Sequence, residues 1–236
     1  NTSSDDWSKE NYPYHDQGPC FRPNHDILIP PPQQHQVQDS PAMFPSTNPT
    51  YGRDTLMYFS GTRVWGGQTE FYSNKVRDRV FEKFENTAGF QLQRFGPASD
   101  MARAKFCLAP SGLGFGDRLY VVIAYGCIPV IIQDNVTQAW EDDLPYNLFS
   151  VRVAEKDIPK LAEVLADISD EEIESMQRAL KCVTPRFRWS SIYGVAGEEE
   201  TGYDDAFETL MMALRNRRDH RGQTPPSAQS TIVDAF

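Results

Sequence analysis

Two rhythms of apolar and polar positions run through the chain from residue 55 onward. Leu56-Met-Tyr-Phe59 is a short apolar run stopped by Ser60 and Gly61, whereas 72–84 places Val76, Val80, Phe81 and Phe84 at helical spacing. The same reading predicts strands over 91–95, 105–109, 128–133 and 149–153, a short helix near 100–103, and helices over 118–126, 158–167 and 170–182. Ser169, followed by Asp170, Glu171 and Glu172, has the residue types of a capped helix start. A last helix over 204–218 carries Ala206, Phe207, Leu210, Met211 and Leu214 on one face, as core or as a seam toward another domain. Its closing Arg215, Arg217 and Arg218 complement the helix C-terminus. Strands separated by helices imply an α/β fold, a parallel sheet with helices on both faces.

The first 50 residues follow neither rhythm. They hold nine of the 17 prolines and only one short apolar strand, Ile27-Leu28-Ile29, so they are expected to wrap over a surface more than to build a core. The tail after Gly222, with Pro225, Pro226 and many small polar residues, reads as flexible.

The densest chemistry lies between Lys105 and Ile132. Lys105-Phe-Cys-Leu-Ala-Pro-Ser-Gly-Leu-Gly-Phe-Gly-Asp-Arg118, then Gly126-Cys-Ile-Pro-Val130, reads as strand, glycine-rich turn, helix and strand. That order places an anion at a helix N-terminus, where free N–H groups meet it, and Arg118 adds a fixed cation. No Gly-Lys-Ser/Thr follows for a phosphate loop, and Gly-x-Gly-x-Gly lacks the third glycine spacing of a dinucleotide fingerprint, which argues against an ATPase or a simple dehydrogenase. In a parallel sheet the ligand sits beyond the carboxyl ends of the strands at a switch in strand order. The loops holding Gly61 to Arg63, Ser111 to Arg118 and Asp134 to Glu141 are therefore expected to meet at one crevice.

Asp26-Ile-Leu-Ile-Pro-Pro-Pro32, Tyr58-Phe-Ser-Gly-Thr-Arg63, Lys105 to Arg118, Gly126 to Val130 and Trp140-Glu-Asp142 occur in the order seen in exostosin-like glycosyltransferases. Over roughly residues 20 to 190 the chain resembles glycosyltransferase family 47. The resemblance implies a GT-B fold of two Rossmann-like halves, of which this is the C-terminal one, holding the sugar nucleotide. It implies residues 1–50 as the Pro-rich end of the N-terminal domain and linker, 51–190 as the sugar-nucleotide-binding domain, 191–221 as a C-terminal helix packing back, and 222–236 as a flexible tail. It also implies a Golgi type II membrane protein whose anchor precedes this region.

The net charge of −10 disfavours nucleic acid and anionic membrane surfaces as partners, so functional positive charge must be focused in a pocket. No apolar run is long enough to span a bilayer, and the polar start Asn1-Thr-Ser-Ser-Asp-Asp6 is no signal peptide, so the chain itself reads as a soluble piece. Cys20, Cys107, Cys127 and Cys182 lack metal-type spacing. Cys107 and Cys127 fall on predicted buried strands, where a small hydrophobe and a disulfide half both fit. Asn1-Thr-Ser3 and Asn135-Val-Thr137 are glycosylation acceptor patterns compatible with a secretory location; Asn48-Pro-Thr50 is blocked by its proline.

Arg118 can pair with phosphate oxygens bidentately, or make a helix-surface ion pair with an acidic neighbour. Ser111 offers a hydroxyl, and Gly112 and Gly114 their N–H groups, to the diphosphate; the serine serves equally to cap its own turn. Arg63 follows on resemblance, since the family often carries a basic residue after Phe-x-Gly. The resemblance also places a ribose-binding carboxylate at Glu141, with Ala139-Trp140 standing where Pro-Phe is usual. Phe115 and Trp140 either cover the base or sugar or pack against helices. Asp142 and Asp143 adjoin Glu141, but an Asp-x-Asp metal loop is absent from its expected place, so donor binding without a metal cofactor is expected.

The resulting expectation is an inverting glycosyltransferase that takes a UDP-sugar donor and a glycan or glycoprotein acceptor, with oligomerisation left open. Its catalytic base is expected from the other half of the GT-B fold; His15, His25, Asp16 and Asp26 read as loop residues and are not assigned that role. The alternative is a non-catalytic exostosin-like module that binds a glycan or a protein.

Overall fold

Apolar runs ended by glycine, proline or a polar turn become strands, and the stripes at helical spacing become the helices laid over them. A computed structural model describes residues 26–32, 52–63, 72–112, 116–190 and 205–219. Its strands are β1 (Thr55–Ser60), β2 (Phe90–Gln93), β3 (Ala104–Pro110), β4 (Ile128–Ile132) and β5 (Val151–Arg152). The helices are α1 (Val76–Phe84), α2 (Asp117–Ala124), α3 (Leu161–Ala166), α4 (Asp170–Val183) and α5 (Ala206–Asp219).

The five strands are all parallel and lie in the order β2-β1-β3-β4-β5. Met57 is opposite Phe90 on one side and Phe106 on the other. Alternate side chains go to opposite faces. Met57, Phe59, Phe106, Leu108, Ile128, Val130 and Ile132 pack with α1, α3 and Ile173 at the start of α4. On the other face Ala109 and Ile131 join α2, Trp140, the end of α4 and Ala206, while Tyr58 and Cys107 pack with Val121, Val122 and Cys127. This is the expected Rossmann-like sheet with helices on both faces.

The boundaries move for local reasons. The strand expected over 91–95 is Phe90–Gln93, because Gly96 and Pro97 follow and Phe95 is left exposed. The one expected over 149–153 shortens to Val151–Arg152 at the sheet edge. The helix expected over 158–167 begins as a 3₁₀ turn, Glu155–Lys160, whose Pro159 cannot donate an N–H, and becomes α-helical at Leu161. Helix α2 stops at Ala124 because Gly126 takes a left-handed φ of 63°, its N–H reaching the Ile123 carbonyl and that of Cys127 the Val122 carbonyl, which turns the chain into β4.

Ile27-Leu28-Ile29 is not a strand. The Leu28 carbonyl accepts the Trp140 N–H at 3.0 Å, and the Pro30 carbonyl accepts Trp189 Nε1 at 3.1 Å. Residues 26–32 thus run as a strap over two tryptophans and do not join the sheet. The final helix rests against the turn 184–187, with the Ala206 N–H bonded to the Arg188 carbonyl. Cys20, His15, Asp16, His25 and the tail after 219 lie outside the described residues.

Cys107 and Cys127 are joined as a disulfide between β3 and the start of β4. Of the two readings open for these cysteines, the cross-link is the one realised; Cys182 is free and exposed. At the amino ends of the strands the buried Arg53 donates to the carbonyls of Met101, Ala104 and Tyr125, and burial pushes its pKa down to about 10. It fastens β1 to β3 at the end remote from the predicted site.

Helix α1 enters through an uncommon turn in which Ser73, Asn74 and Lys75 have φ of 56°, 46° and 60°. Left-handed backbone strains residues that carry a Cβ, and this turn is held by Asn74 Nδ2 bonded to Glu155 and by the packing of Tyr72 against Arg77. Lys75 is exposed, so Lys75→Gly should raise stability by about 0.5–1 kcal/mol in urea unfolding.

The capping box of α4 forms as the sequence predicts: Ser169 Oγ accepts the Glu172 N–H and Glu172 accepts the Ser169 N–H. Ser169→Ala should cost about 1 kcal/mol in the same assay, with an unchanged denaturant slope. The disulfide closes a loop across a sequence separation of 20. Replacing Cys107 and Cys127 together by alanine should lower stability by about 2–4 kcal/mol, and dithiothreitol should reproduce the loss in the wild type but not in the double variant.

Candidate functional site

A sheet in the order β2-β1-β3-β4-β5 grows outward in both directions from the β1/β3 pair, which makes the carboxyl ends of β1 and β3 the switch point. Phe59, the penultimate residue of β1, is 1% exposed there. Two guanidinium groups lie against its ring, Arg77 at 5.4 Å and Arg118 at 5.5 Å from the centroid. A Cβ at Gly61 would come within 2.9 Å of the Phe59 ring and 3.4 Å of Arg118 Nη2, so glycine at the end of β1 is what leaves room for this stack.

Arg118 is the second residue of α2. Its guanidinium is half-buried and makes no hydrogen bond or ion pair to a described residue; burial holds it below its ordinary pKa. Arginine remains charged at neutral pH even so. The ion pair with an acidic neighbour that sequence alone left open is not formed among the described residues, and Asp117, beside it, is exposed. No side chain caps α2, whose N-cap is Gly116. First-turn N–H groups and an uncommitted cation therefore share one helix end.

Ser111 and Gly112 follow β3 at the same place. The Ser111 carbonyl accepts Arg77 Nη2 at 3.0 Å, and the Thr62 carbonyl on the neighbouring loop accepts Arg77 Nη1 at 3.0 Å. The Ser111 hydroxyl has no described partner. Gly114 and Phe115 lie outside the described residues. Arg63 is turned the other way: its Nε meets Asp78 Oδ1 at 3.0 Å, Nη2 meets Glu82 at 3.9 Å, and its guanidinium lies over Phe81.

The third loop joins through buried amides. Gln133 Nε2 donates to the Ala109 carbonyl at 2.9 Å and Gln138 Nε2 to Gln133 Oε1 at 3.4 Å. The Gln138 N–H in turn donates to Glu141 Oε2 at 2.6 Å, while Arg152 Nη2 meets Glu141 Oε1 at 2.5 Å. Glu141 is thus a doubly held carboxylate at the rim of a small open cleft of about 160 Å³ shared with Leu28, Asp143 and Arg217. Gly61, Ser111, Gly112 and Arg118 therefore cluster at one place, and Glu141 is linked to them through Gln138, Gln133 and the end of β3, without direct contact to Arg118 among the described residues.

The aromatic and acidic neighbours of Glu141 take structural places. Trp140 is 1% exposed, sits at φ 59° and donates its Nε1 to the Arg186 carbonyl, so it belongs to the core and does not cover a ligand. Asp142 and Asp143 face Arg217 of α5 at 3.4 and 3.8 Å, and burial raises the Asp143 pKa. They fix the last helix to this loop. Among the described residues no group of three or more His, Cys, Asp or Glu is arranged to hold a metal.

Arg77 is the residue that sequence reasoning missed. It is 7% exposed, and its Nε is buried without a partner. The signal was present: Arg77 falls on the apolar stripe of α1, four residues before Phe81, where a cation facing the sheet is anomalous.

The Exostosin GT47 domain matches residues 12–168. The chain is 30% identical over 209 residues to a probable glucuronosyltransferase of Oryza sativa subsp. japonica, covering 86% of this chain and 47% of that protein. It is 32% identical over 201 residues to the probable beta-1,4-xylosyltransferase IRX10 of Arabidopsis thaliana, covering 82% and 46%. Among solved structures it is similar to the crystal structure of a GtfA/B complex, with TM-score 0.38 and 12% identity over 76% of this chain and 39% of that one. The chain spans about half the length of the curated relatives it matches. With its motifs, its parallel sheet and this match over most of its length, the chain belongs to the exostosin GT47 family.

Proposed function

We propose that this chain is the donor-binding half of an inverting glycosyltransferase that transfers a sugar from a UDP-sugar to a glycan or glycoprotein acceptor. The observation that carries the reading is the half-buried Arg118 guanidinium, stacked on Phe59 but with no hydrogen bond or ion pair to a described residue, at the β1/β3 switch point beside the uncapped start of α2. A diphosphate supplies the missing anion: Arg118 takes its oxygens, and the Ser111 hydroxyl and the Gly112 and Gly114 N–H groups complete the cradle; Arg63, its charge already met by Asp78, is kept as a diphosphate contact on family resemblance alone. Glu141 accepts the ribose hydroxyls, its orientation fixed by Arg152 and the Gln138 N–H.

In the transfer, the acceptor oxygen attacks the anomeric carbon from the face opposite the diphosphate, and the bond from that carbon to the phosphate oxygen breaks. The negative charge then grows where Arg118 and the α2 N–H groups stand ready, so the stabilisation increases toward the transition state. The acceptor proton goes to a base assigned to the other half of the GT-B fold. Guanidinium charge takes the place of a metal ion in this scheme. A Golgi lumenal setting is supported by the Cys107–Cys127 disulfide, which needs an oxidising compartment, and by the exposed Asn135 in its glycosylation pattern. Among the described residues no helix is long and apolar enough to cross a membrane; a type II membrane anchor remains part of the proposal on family resemblance alone.

Calorimetric titration of UDP, with GDP as comparison, tests the reading. The wild type should prefer UDP with or without EDTA, Arg118→Ala should weaken binding by about 1.5–3 kcal/mol, and Glu141→Ala by about 1 kcal/mol. Unchanged affinity in a folded Arg118→Ala variant refutes the phosphate role. Absence of UDP binding by the folded wild type would favour a non-catalytic exostosin-like module.

A further inference from the structure

Arg77 stands in an electrostatically poor place. It is in the first turn of α1, where the helix dipole disfavours a cation, and no carboxylate among the described residues pairs with it. Burial lowers its pKa, and nearby Arg118 adds to the lowering. Stability alone gives no reason to bury a guanidinium here, since an apolar side chain would fill the stripe of α1 at less cost.

Its hydrogen bonds show what it does instead. Nη1 donates to the Thr62 carbonyl at 3.0 Å and to Tyr72 Oη at 2.6 Å, Nη2 donates to the Ser111 carbonyl at 3.0 Å, and the plane lies over the Tyr72 ring at 4.7 Å. Thr62 follows β1 and Ser111 follows β3, so a single planar group spans the switch point. A Cβ on Gly112 would stand 3.2 Å from Nη2, which shows how closely the β3 loop is drawn onto it.

We propose that Arg77 is the positioning residue of the donor site, a rigid clasp that sets the spacing between the β1 and β3 loops so that Ser111, Gly112 and Arg118 meet the diphosphate together. The proposal rests on the donor-site reading above. Lysine keeps the charge but lacks the fork that reaches both carbonyls, so Arg77→Lys and Arg77→Met should both disable the clasp. The bound diphosphate neutralises the two cations that folding leaves side by side, which couples occupancy of the site to order in both loops.

The test is titration of the full chain with UDP by calorimetry and with uridine by ligand-observed NMR. Both Arg77 variants should bind UDP about tenfold more weakly or worse while their uridine affinity stays within about twofold of wild type. Because Arg77 acts through Arg118 and its loop, the loss in the Arg77→Met, Arg118→Ala double variant should be smaller than the product of the single losses. Wild-type UDP affinity in folded Arg77→Met, an equal loss for uridine, or multiplicative losses in the double variant would overturn the proposal. If circular dichroism shows Arg77→Met unfolded, Tyr72→Phe, which removes one anchor, should lower UDP affinity about threefold and spare uridine; no change would overturn it. A wild type that binds no UDP removes the donor-site reading itself, a result distinct from any of these.

Discussion

Positive charge left unmatched at the β1/β3 junction is the constraint on which the rest of this structure turns. A parallel sheet that grows outward from two central strands leaves a gap between the connections that leave them in opposite directions. Here two guanidiniums are packed into that gap against one aromatic ring, and glycine at 61 and 112 keeps the backbone clear of them. Phe59 provides a flat, weakly negative surface that makes two neighbouring cations tolerable, but no described carboxylate balances them. The surrounding chain is acidic overall, so the local sign is opposite to the global one, and an anion arriving from solution finds its attraction concentrated at one spot.

Arginine serves the opposite end of the same strands in another way. Arg53 spends its donors on three carbonyls and fastens β1 to β3 from below. Arg77 fastens them from above but keeps Nε in reserve. The two residues have the same chemistry and similar burial; what separates them is that one lies where a parallel sheet closes and the other where it opens.

The sheet, its helices and the glycine-rich loop were legible because each rests on local periodicity: apolar runs for β1, β3 and β4, the stripe of α1, the capping box of α4. Arg118 was legible because it follows a glycine-rich turn at a helix start. Arg77 stood out only as a cation on the apolar stripe of α1; its role was not legible, because it depends on two carbonyls 15 and 34 residues away, and nothing in the sequence near it records that spacing. Trp140 stayed open between ligand and core in the sequence, because an aromatic beside a candidate carboxylate looks the same in either place; the structure realises the packing reading, with its side chain buried and its Nε1 bonded to the Arg186 carbonyl. Ile27 to Ile29 has strand composition, yet its backbone bonds to a tryptophan N–H and not to a neighbouring strand, a partner that composition does not record.

The cross-link between Cys107 and Cys127 has a topological meaning. Its two halves flank the glycine-rich turn and the whole of α2, so the segment that carries Ser111, Gly112 and Arg118 is a ring closed by covalent bonds on every side. A protease that cut anywhere inside that ring would leave both pieces of the chain attached to one another and β3 still bound to β4. The loop proposed to hold the diphosphate can therefore suffer a break in its backbone without the two halves of the protein parting.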